Sequence, residues 1–549
     1  MKKKLIGIFL SIAMVSVLIT GCGGSDTGAK QEETAQEETA DTDADETDSA
    51  EEEDVENEAD SAKSSTEGGQ LVIPVSATVT NLNPLLESMA EGAFQLSPFA
   101  DELYYVDQEE TRYYLAESCE VSEDGLTYTL KLKDNLKWHD GEPITADDVI
   151  FTADCNADTN NGAGYTNTVF VGEEPVKYEK VDDLTVNFTV PQPSASYLEV
   201  LGKLQLIPAH AFDGSTDIVS AEANLTDIGS GPYKLSAFND GESLVLEKFE
   251  DYYGDASQID SIVFQVISDP SAQEVAFKNG EINYLLASSD ATVEEFKSVD
   301  GAQLHQLGEG RVKYLAWNKY SDTWKDRDAV KALFAALDQN EIVEGAYGAS
   351  MGIPANTIFS NQNLFHDEEL TGYEQDLDTA KELAEKSGLS GKTIKLHYNT
   401  DRSYMEETAL LIQQQLKAID VNVEIEGIDA NGFFDVVFTD QADYELYLNE
   451  YAAIGDPDSV VAGMYDGTWG INVDTSDEIL DLFKQGRETT DMEERAEIYK
   501  ELQQKAIDEY LVYPIAYPNY CFVTSDNLQG AEYYETTPVF EDYTKLYFE

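Results

Sequence analysis

The chain has 549 residues, 42% of them hydrophobic and 10% aromatic, which is too long and too apolar for a disordered protein. It carries 108 acidic residues against 34 basic ones, a formal net charge of -74. Nucleic acid and anionic lipid surfaces repel such a chain, so we expect neither as a binding partner. At least one large folded domain is expected.

The N-terminal segment predicts export and a lipid anchor. Three lysines at positions 2–4 precede an apolar stretch over residues 5–19, which is too short for a membrane span and typical of a secretory signal peptide. This stretch runs into Ile-Thr-Gly-Cys at residues 19–22, which resembles the lipobox of bacterial lipoproteins. We therefore expect residues 1–21 to be removed and Cys22 to be diacylated, because two acyl chains give stable anchoring at the outer face of the cell membrane. A buried helix that ends at Cys22 is the alternative.

Residues 22–69 predict an acidic, disordered tether. Residues 26–67 hold 18 acidic residues and two lysines, and residues 23–69 contain no aromatic side chain. Such a segment cannot bury enough apolar surface to fold, and its like charges extend it over roughly several tens of ångströms. A low-complexity interaction tail is the alternative. The long tether and the composition favour a bacterium with a single membrane.

Cysteine usage indicates no redox or metal-binding motif. With Cys22 assigned to lipid, Cys119, Cys155 and Cys521 remain, so at most one intramolecular disulfide can form and one thiol is left over. No Cys-x-x-Cys and no Cys/His cluster occurs. We favour buried thiols without a redox role, and we expect no cofactor.

The folded part begins with a predicted strand at residues 70–75 that leads into Asn81-Leu82-Asn83-Pro84, a turn-forming cluster. We expect this strand to end at the edge of a cleft, which makes Asn81 a candidate ligand contact. A helical pattern follows over residues 85–103.

Two local signals then fix a hairpin and a helix start. Asp124-Gly125 predicts a tight turn inside a hairpin over residues 119–133. Thr145 predicts a helix N-cap, with Asp148 at the third helical position. Residues 184–190 alternate in polarity and predict a further strand.

Helical and strand patterns alternate through the second half of the chain. We predict helices at residues 326–337, 376–387, 404–419 and 491–509, and strands at residues 393–397 and 421–425. About 480 folded residues exceed one ordinary core, so this alternation predicts several α/β lobes.

Several motifs occur in the order of one known family. They include Trp138-His139-Asp140-Gly141 and Gly229-Ser230-Gly231-Pro232-Tyr233, and they occupy residues 115–130, 136–149, 229–233, 252–254, 259–264, 314–318, 328–333 and 455–458. From about residue 70 to the C-terminus the chain resembles the extracellular solute-binding proteins of family 5, the dipeptide, oligopeptide and nickel receptors of ATP-driven importers. Cys119 stands where the family usually has tryptophan.

This resemblance implies an α/β fold of the periplasmic-binding-protein type II class. Two lobes with three subdomains would be joined by a two-stranded hinge, with the ligand cleft between the lobes. Lobe one would comprise residues 70–312 and 515–549 with an insertion subdomain at about 104–205, lobe two residues 313–514, and the crossovers would lie near residues 311–318 and 513–520. We expect a monomer that closes on its ligand and is then recognised by a membrane permease.

The resemblance also implies ligand-contacting residues. In members that hold short peptides, an arginine before a helix binds the carboxylate, and Arg402 best matches its position. In those members an aspartate before the Gly-Asp-Pro-Asp segment binds the amine, but this chain has none there, which leaves Glu450 or Asp456 as substitutes. Arg402 could instead be an exposed loop residue paired with Asp401, and Asp456 could simply shape the turn before Pro457.

Aromatic residues complete the predicted site. Trp317 and Trp469 are candidate cleft aromatics, and Tyr451 adjoins the position of the missing aspartate. Core packing is the alternative for each tryptophan.

An extracellular enzyme is the rival class, and the sequence gives it little support. The five histidines are far apart, and neither His-Glu-x-x-His nor Gly-x-Ser-x-Gly occurs. Gly391-Lys392-Thr393 imitates the end of a phosphate loop, but Lys386 stands where the loop needs glycine. We therefore expect no enzyme and no metal site. The expected ligand is a short peptide, and a metal chelate, a sugar or a cationic compound is the alternative that the missing aspartate favours.

Overall fold

The structure, a computed structural model, describes residues 68–87, 90–106, 111–172, 174–437, 443–457, 461–465, 473–489, 491–533 and 537–549. The predicted signal peptide, Cys22, the predicted tether up to residue 67 and Trp469 lie outside these residues. Within the described ranges, no helix is long and apolar enough to cross a lipid bilayer.

Strands and helices alternate along the described chain. The strands are β1 Gln70–Val75, β2 Tyr104–Val106, β3 Thr111–Tyr113, β4 Ala116–Val121, β5 Thr127–Leu132, β6 Phe170–Val171, β7 Glu174–Pro175, β8 Lys177–Lys180, β9 Thr185–Thr189, β10 Tyr233–Asn239, β11 Ser243–Lys248, β12 Ser261–Val266, β13 Tyr284–Leu286, β14 Ala302–Gly308, β15 Arg311–Trp317, β16 Gly352–Pro354, β17 Thr393–Asn399, β18 Asn422–Ile428, β19 Leu446–Ala452, β20 Tyr513–Ser525, β21 Leu528–Gln529 and β22 Tyr547–Phe548. The α-helices are α1 Ala90–Leu96, α2 Ala146–Ala157, α3 Tyr197–Gly202, α4 Pro270–Lys278, α5 Asp290–Phe296, α6 Arg327–Ala335, α7 Gln339–Tyr347, α8 Leu377–Ser387, α9 Met405–Leu416, α10 Ala430–Val437, α11 Val461–Tyr465, α12 Asp477–Glu488 and α13 Met492–Asp508.

Lobe one contains two subdomains. The first is built on a four-stranded sheet in the order β1-β12-β11-β10, in which β1 and β12 run parallel. The second surrounds a separate four-stranded sheet in the order β4-β5-β9-β8. Its own apolar core gathers side chains from Leu85 to Ile218, with Trp138 fully buried at 0% exposure. Each subdomain therefore has the contiguous apolar cluster that an independent folding unit needs.

Lobe two is built around strands β15, β19, β17 and β18 of an eight-stranded sheet. β17 runs parallel to both β18 and β19, whereas β15 runs antiparallel to β19. Apolar clusters cover both faces of this sheet, one around Leu315 and Leu448 and the other around Tyr314 and Tyr447. Burial on both faces explains why the central strands β15 and β19 are buried along nearly their whole length.

Two crossings join the lobes and form the hinge. In the first, Glu309 and Gly310 connect β14 to β15, and Gly310 adopts a positive φ of 63° that favours glycine. The second is β20, whose first half pairs with β15 and β16 and whose second half pairs with β14 and β13. The Glu309 amide donates to the Pro518 carbonyl at 2.9 Å, so the two crossings are in direct contact.

The local sequence signals for the hairpin and the helix cap are confirmed. β4 and β5 form the predicted hairpin, and Gly125 in its turn has a φ of +67°. The Thr145 side chain caps α2, and Asp148 accepts from the Thr145 amide at 2.9 Å. The three described cysteines, Cys119, Cys155 and Cys521, are free thiols.

The predicted helix over residues 85–103 was wrong in extent. Among the described residues of this stretch, Ala90–Leu96 alone are α-helical, and the Asn83 side chain accepts from the Leu85 amide and holds a turn before the helix. Pro98 follows Leu96 closely, and a proline cannot continue the amide hydrogen bonds of a helix. The resulting short helix brings Phe94 into the core of lobe one.

Candidate ligand-binding cleft

A cavity of about 1320 Å³ lies between the lobes, against the hinge. Lobe one contributes Asp101 and Tyr252, lobe two contributes Ser403 and Tyr404, and the hinge contributes Glu309. Pockets for drug-sized ligands usually hold roughly 300–1,000 Å³, so this cavity is large enough for a ligand of several residues.

Three cations meet one carboxylate at the hinge end of the lobe-two sheet. The carboxyl ends of the parallel strands β17 and β19 lie at the same edge as the start of the antiparallel β15. Lys313 lies directly opposite Glu450 across β15 and β19, and the two side chains form an ion pair with only 4% of each exposed. The Glu450 carboxylate also contacts Arg311 at 3.2 Å and Arg402 at 3.3 Å. We call Arg311, Lys313, Arg402 and Glu450 the hinge cluster.

The electrostatics of the hinge cluster favour an ionised Glu450. Burial by itself would raise the pKa of Glu450, but Lys313 and Arg311 outweigh burial and hold that pKa below its usual value. The neighbouring Glu309 shows the opposite balance, because burial raises its pKa in spite of Lys313. The hinge cluster therefore carries an excess of positive charge.

The hinge cluster and the neighbouring Asn399 also have hydrogen-bond donors without a partner. Arg402 Nε is buried and donates to no described acceptor, although 39% of the side chain is exposed. The Asn399 amide nitrogen is likewise buried without a described partner. Buried donors are normally satisfied, so these two atoms mark a place where an acceptor from a ligand can bind.

The lobe-one wall carries two adjacent carboxyl groups. Asp101 accepts hydrogen bonds from the Tyr252 hydroxyl at 2.8 Å and the Tyr253 hydroxyl at 2.6 Å. Burial nevertheless raises the pKa of Asp101 to about 7. Burial also raises the pKa of Glu102 to about 8, with Lys203 opposing the shift and Asp101 adding to it. Both side chains line the cavity.

The structure separates the residues that the sequence singles out. Arg402 directly precedes the lining residues Ser403 and Tyr404 in sequence, but it is not itself among the lining residues that the structure describes. Trp317 is packed in the lobe-two core, where its indole N–H donates to the Tyr510 carbonyl at 3.3 Å. Trp469 lies outside the described residues.

The remaining predicted contacts also lie away from the cavity lining. Tyr451 is buried, and its hydroxyl donates to the Ile358 carbonyl at 2.6 Å. Asp456 forms a buried ion pair with Arg495 at 2.7 Å. Asn81 accepts from the Asn83 amide at 2.9 Å and so shapes its own turn. None of these three side chains is among the cavity-lining residues that the structure describes.

Sequence reasoning missed Lys313, Arg311 and the carboxyl groups of lobe one. Arg311 and Lys313 alternate at the start of an apolar strand, which is a readable signal for charged side chains on one face. Asp101 carries no such signal, because its hydroxyl partners lie about 150 residues further along the chain.

Among the described residues, no group of three or more histidine, cysteine or acidic side chains could hold a metal ion.

Comparison with known proteins places the chain in a family. A profile of the bacterial extracellular solute-binding proteins, family 5 Middle, matches residues 110–472. The structure resembles AppA from Clostridium difficile with a TM-score of 0.81, 34% identity, and coverage of 88% of this chain and 100% of that one. It resembles the ABC transporter substrate binding protein CtaP from Listeria monocytogenes with a TM-score of 0.80, 31% identity, and coverage of 88% and 99%.

A relative in sequence is the oligopeptide-binding protein AppA of Bacillus subtilis, which is 24% identical over 507 residues, or 86% of this chain and 91% of that protein. The matched profile covers more than half of the chain, and the two lobes with a cleft at a two-stranded hinge agree with it. The chain belongs to the bacterial extracellular solute-binding proteins, family 5.

Proposed function

We propose that this protein is the lipid-anchored receptor of an ATP-driven importer, which captures peptides between its lobes and delivers them to a membrane permease. Its work is binding without chemical turnover. The observation that carries the proposal is the hinge cluster, which presents excess positive charge and unused donors beside a cavity large enough for a peptide. The description of Bacillus subtilis AppA as an oligopeptide-binding protein supports a peptide ligand.

A peptide carboxylate fits the charge balance of the hinge cluster. Glu450 is one anion shared by three cations, so the hinge cluster can accept a second carboxylate. Arg402 is the most exposed of these cations and the one nearest to lining residues in sequence. Arginine binds carboxylates through two parallel N–H donors, so Arg402 is the proposed anchor for the C-terminal carboxylate.

Hinge closure follows from the placement of polar groups on both walls. Arg402 belongs to lobe two and Asp101 to lobe one, whereas Glu309 and Tyr520 belong to the crossings. A ligand that contacts both walls binds the closed arrangement more tightly than the open one, and it therefore shifts the population toward closure. Asn81, Trp317, Tyr451 and Asp456 are not needed for this arrangement.

The N-terminus supports the anchoring part of the proposal. The apolar stretch and the Ile-Thr-Gly-Cys ending at Cys22 predict a diacylated protein at the outer face of the cell membrane. The substitution Cys22→Ala tests this, because it should release the protein from the membrane. The acidic segment up to residue 69 would leave the receptor able to reach its permease.

The test measures ligand-induced stabilisation of the purified, detergent-solubilised protein with dipeptides to nonapeptides. A ligand at 100 times its dissociation constant should stabilise the protein by about 2.7 kcal/mol. Arg402→Ala should weaken binding about tenfold to a hundredfold, and C-terminal amidation of the peptide should weaken wild-type binding to a similar degree. Amidation should cost the Arg402→Ala protein little more, because the same contact is already lost.

Arg327→Ala is the matched control. Its side chain has the same 39% exposure in lobe two, but it contacts Trp317 and Asp474 and is not part of the hinge cluster. It should leave peptide affinity unchanged. Equal binding of acid and amide peptides would overturn the carboxylate anchor. If no peptide stabilises the protein but a nickel chelate, a sugar or a polyamine does, the proposal of a peptide ligand is wrong.

A further inference from the structure

The cleft has a second charged region, on the wall opposite the hinge cluster. Asp101 and Glu102 lie between α1 and β2, and both side chains line the cavity with the rings of Tyr165, Tyr252 and Tyr253. The Tyr252 and Tyr253 ring centroids are 4.4 Å apart. Two carboxyl groups are therefore set into an aromatic surface, which is an unfavourable place for an anion without a partner.

Glu102 has a buried oxygen without a partner. Its Oε2 atom is inaccessible to solvent and accepts no hydrogen bond from any described residue. The adjacent Asp101 is different, because Tyr252 and Tyr253 both donate to it. A buried polar atom without a partner costs free energy, and at a cavity wall the missing partner is one that a ligand can supply.

The cations of the protein around this wall already have other partners. Lys203 pairs with Glu199 at 2.7 Å, and Lys133 donates to the Tyr113 carbonyl at 2.8 Å. Arg112 pairs with Glu541. Lys545 lies 3.3 Å from Glu532. Seven acidic and three basic side chains line the whole cavity, so its lining offers more carboxyl groups than cations to pair with them.

We propose that Asp101 and Glu102, with the hydroxyls of Tyr252 and Tyr253, form a subsite for a cationic group of the ligand, an ammonium or a guanidinium. This inference rests on the proposed function and specifies its ligands, since it assigns preferred cargo to peptides that carry a positive charge away from their carboxylate. The Tyr252 ring suits the same group, because a cation over an aromatic face is attracted by the ring, whereas Lys133 Nζ already lies 5.2 Å from the centroid of the Tyr253 ring. The carboxylate of the ligand and its cation would then contact opposite lobes.

Binding at this subsite should release protons. The charged and titratable groups that face the pair are Lys133, Lys203, Asp542, Tyr165, Tyr252 and Tyr253. The pKa of Asp101 is raised to about 7 and that of Glu102 to about 8, so at neutral pH the empty subsite holds protons. A cation favours the ionised carboxylates, and therefore displaces those protons.

Calorimetric titration of the full-length, detergent-solubilised protein at about pH 8 tests the subsite. The probes are two pools of tripeptides to nonapeptides that are identical except for lysine or norleucine at one position, all N-acetylated. The lysine pool should bind about tenfold to a hundredfold more tightly than the norleucine pool. Glu102→Gln should reduce this preference to less than about threefold, and Asp101→Asn should reduce it too.

Asp255→Asn is the matched control, because Asp255 is an exposed acid that lines the same cavity. It should keep most of the lysine preference. Equal loss in this control would show a general field effect and overturn the subsite. Equal binding of both pools by the wild type, with affinity intact, would overturn the subsite but leave the proposed function in place, whereas no binding of any peptide would overturn both.

A second set of pools, with free N-termini and no lysine, identifies the source of the cation. A preference for free over acetylated termini that Glu102→Gln removes would assign the subsite to the terminal amine, and a preference for lysine in the acetylated pools would assign it to a basic side chain.

Proton release by the wild type, measured in buffers of different ionisation enthalpy near pH 7, does not depend on the folding of a variant. Release with the cationic pool alone supports the subsite, and equal release with the neutral pool contradicts it.

Discussion

The pKa values of the carboxyl groups are shifted in opposite directions in the two charged regions of the cleft. At the hinge cluster, Glu450 is surrounded by Lys313, Arg311 and Arg402, and its pKa is held low. On the lobe-one wall, two tyrosine hydroxyls and Lys133 lower the pKa of Asp101 and Lys203 lowers that of Glu102, but burial outweighs them and raises both pKa values. In the first region the protein supplies the counterions of the buried carboxylate itself, and only a donor of Arg402 is left over. The second is incomplete in the empty protein, so its charge state depends on what enters the cleft.

The largest expected effect is the loss of the central anion of the hinge cluster. Glu450→Gln should lower the free energy of unfolding by about 3 kcal/mol or more, because Lys313 would remain buried without a counterion. Chemical denaturation measures the loss. Adding Lys313→Met should recover much of it, whereas Glu117→Gln, which removes an exposed ion pair with Lys131, should change nothing measurable. A small loss from Glu450→Gln would show that Lys313 does not depend on Glu450 as its counterion.

An opposite sign is expected on the lobe-one wall. Glu102 has an ordinary pKa of 4.5 and a folded value of about 8, so the folded state holds its proton over a pH range in which the unfolded chain has lost it. Wild-type stability therefore falls as the pH rises from about 4.5 to 8, and Glu102→Gln removes this fall. The variant should gain on the order of 1–3 kcal/mol over wild type at pH 8 and little near pH 4.5. A difference that is constant across denaturation curves at both pH values would contradict the raised pKa.

A smaller effect is expected from one hydroxyl on the same wall. Tyr253→Phe should lower the unfolding free energy by about 1 kcal/mol at pH 8, because the hydroxyl stabilises the ionised form of Asp101. The loss should shrink below pH 6, where Asp101 with its pKa of about 7 is protonated. Tyr178→Phe is the control, since its hydroxyl donates to Asp154 at an exposed site. A loss of unfolding free energy that does not change with pH would show that the Tyr253 hydroxyl does not stabilise the ionised form of Asp101.

The smallest effect is expected from the rim of the hinge cluster. Arg311 has 29% of its side chain exposed. When Arg311 is removed, Glu450 keeps its ion pairs with Lys313 and Arg402. Arg311→Ala should therefore lower the unfolding free energy by only about 0.5–1 kcal/mol. A loss as large as that of Glu450→Gln, in the same denaturation series, would make Arg311 the main counterion instead of Lys313.

Local sequence signals predicted much of the fold. The Asp124-Gly125 hairpin and the cap at Thr145 depend on neighbours within a few residues, and both are present. The predicted helices at 376–387 and 491–509 match α8 and α13 within one residue at each end. The helix at 85–103 failed because a side-chain turn at Asn83 competes with the helical pattern.

The site was predictable only in part, because its partners come from distant segments. Arg402 was singled out through its position in a family pattern and stays a prediction as a ligand contact, but its contact with Glu450 depends on the pairing of β17 with β19. Trp317 lies on the same face of β15 as Lys313, four residues further from the hinge, and so enters the core. Asp101 meets Tyr252 across 151 residues, and no local pattern indicates such a contact.

The sharing of β20 by both lobes affects the order in which the chain can fold. β20 begins at Tyr513, and both lobes pair with it, so the sheets on either side of the hinge lack this strand until nearly the whole chain has been synthesised. The subdomain built on β4, β5, β8 and β9 needs no part of β20 and can form earlier. The two lobes therefore cannot close around a ligand while the last residues are still being made.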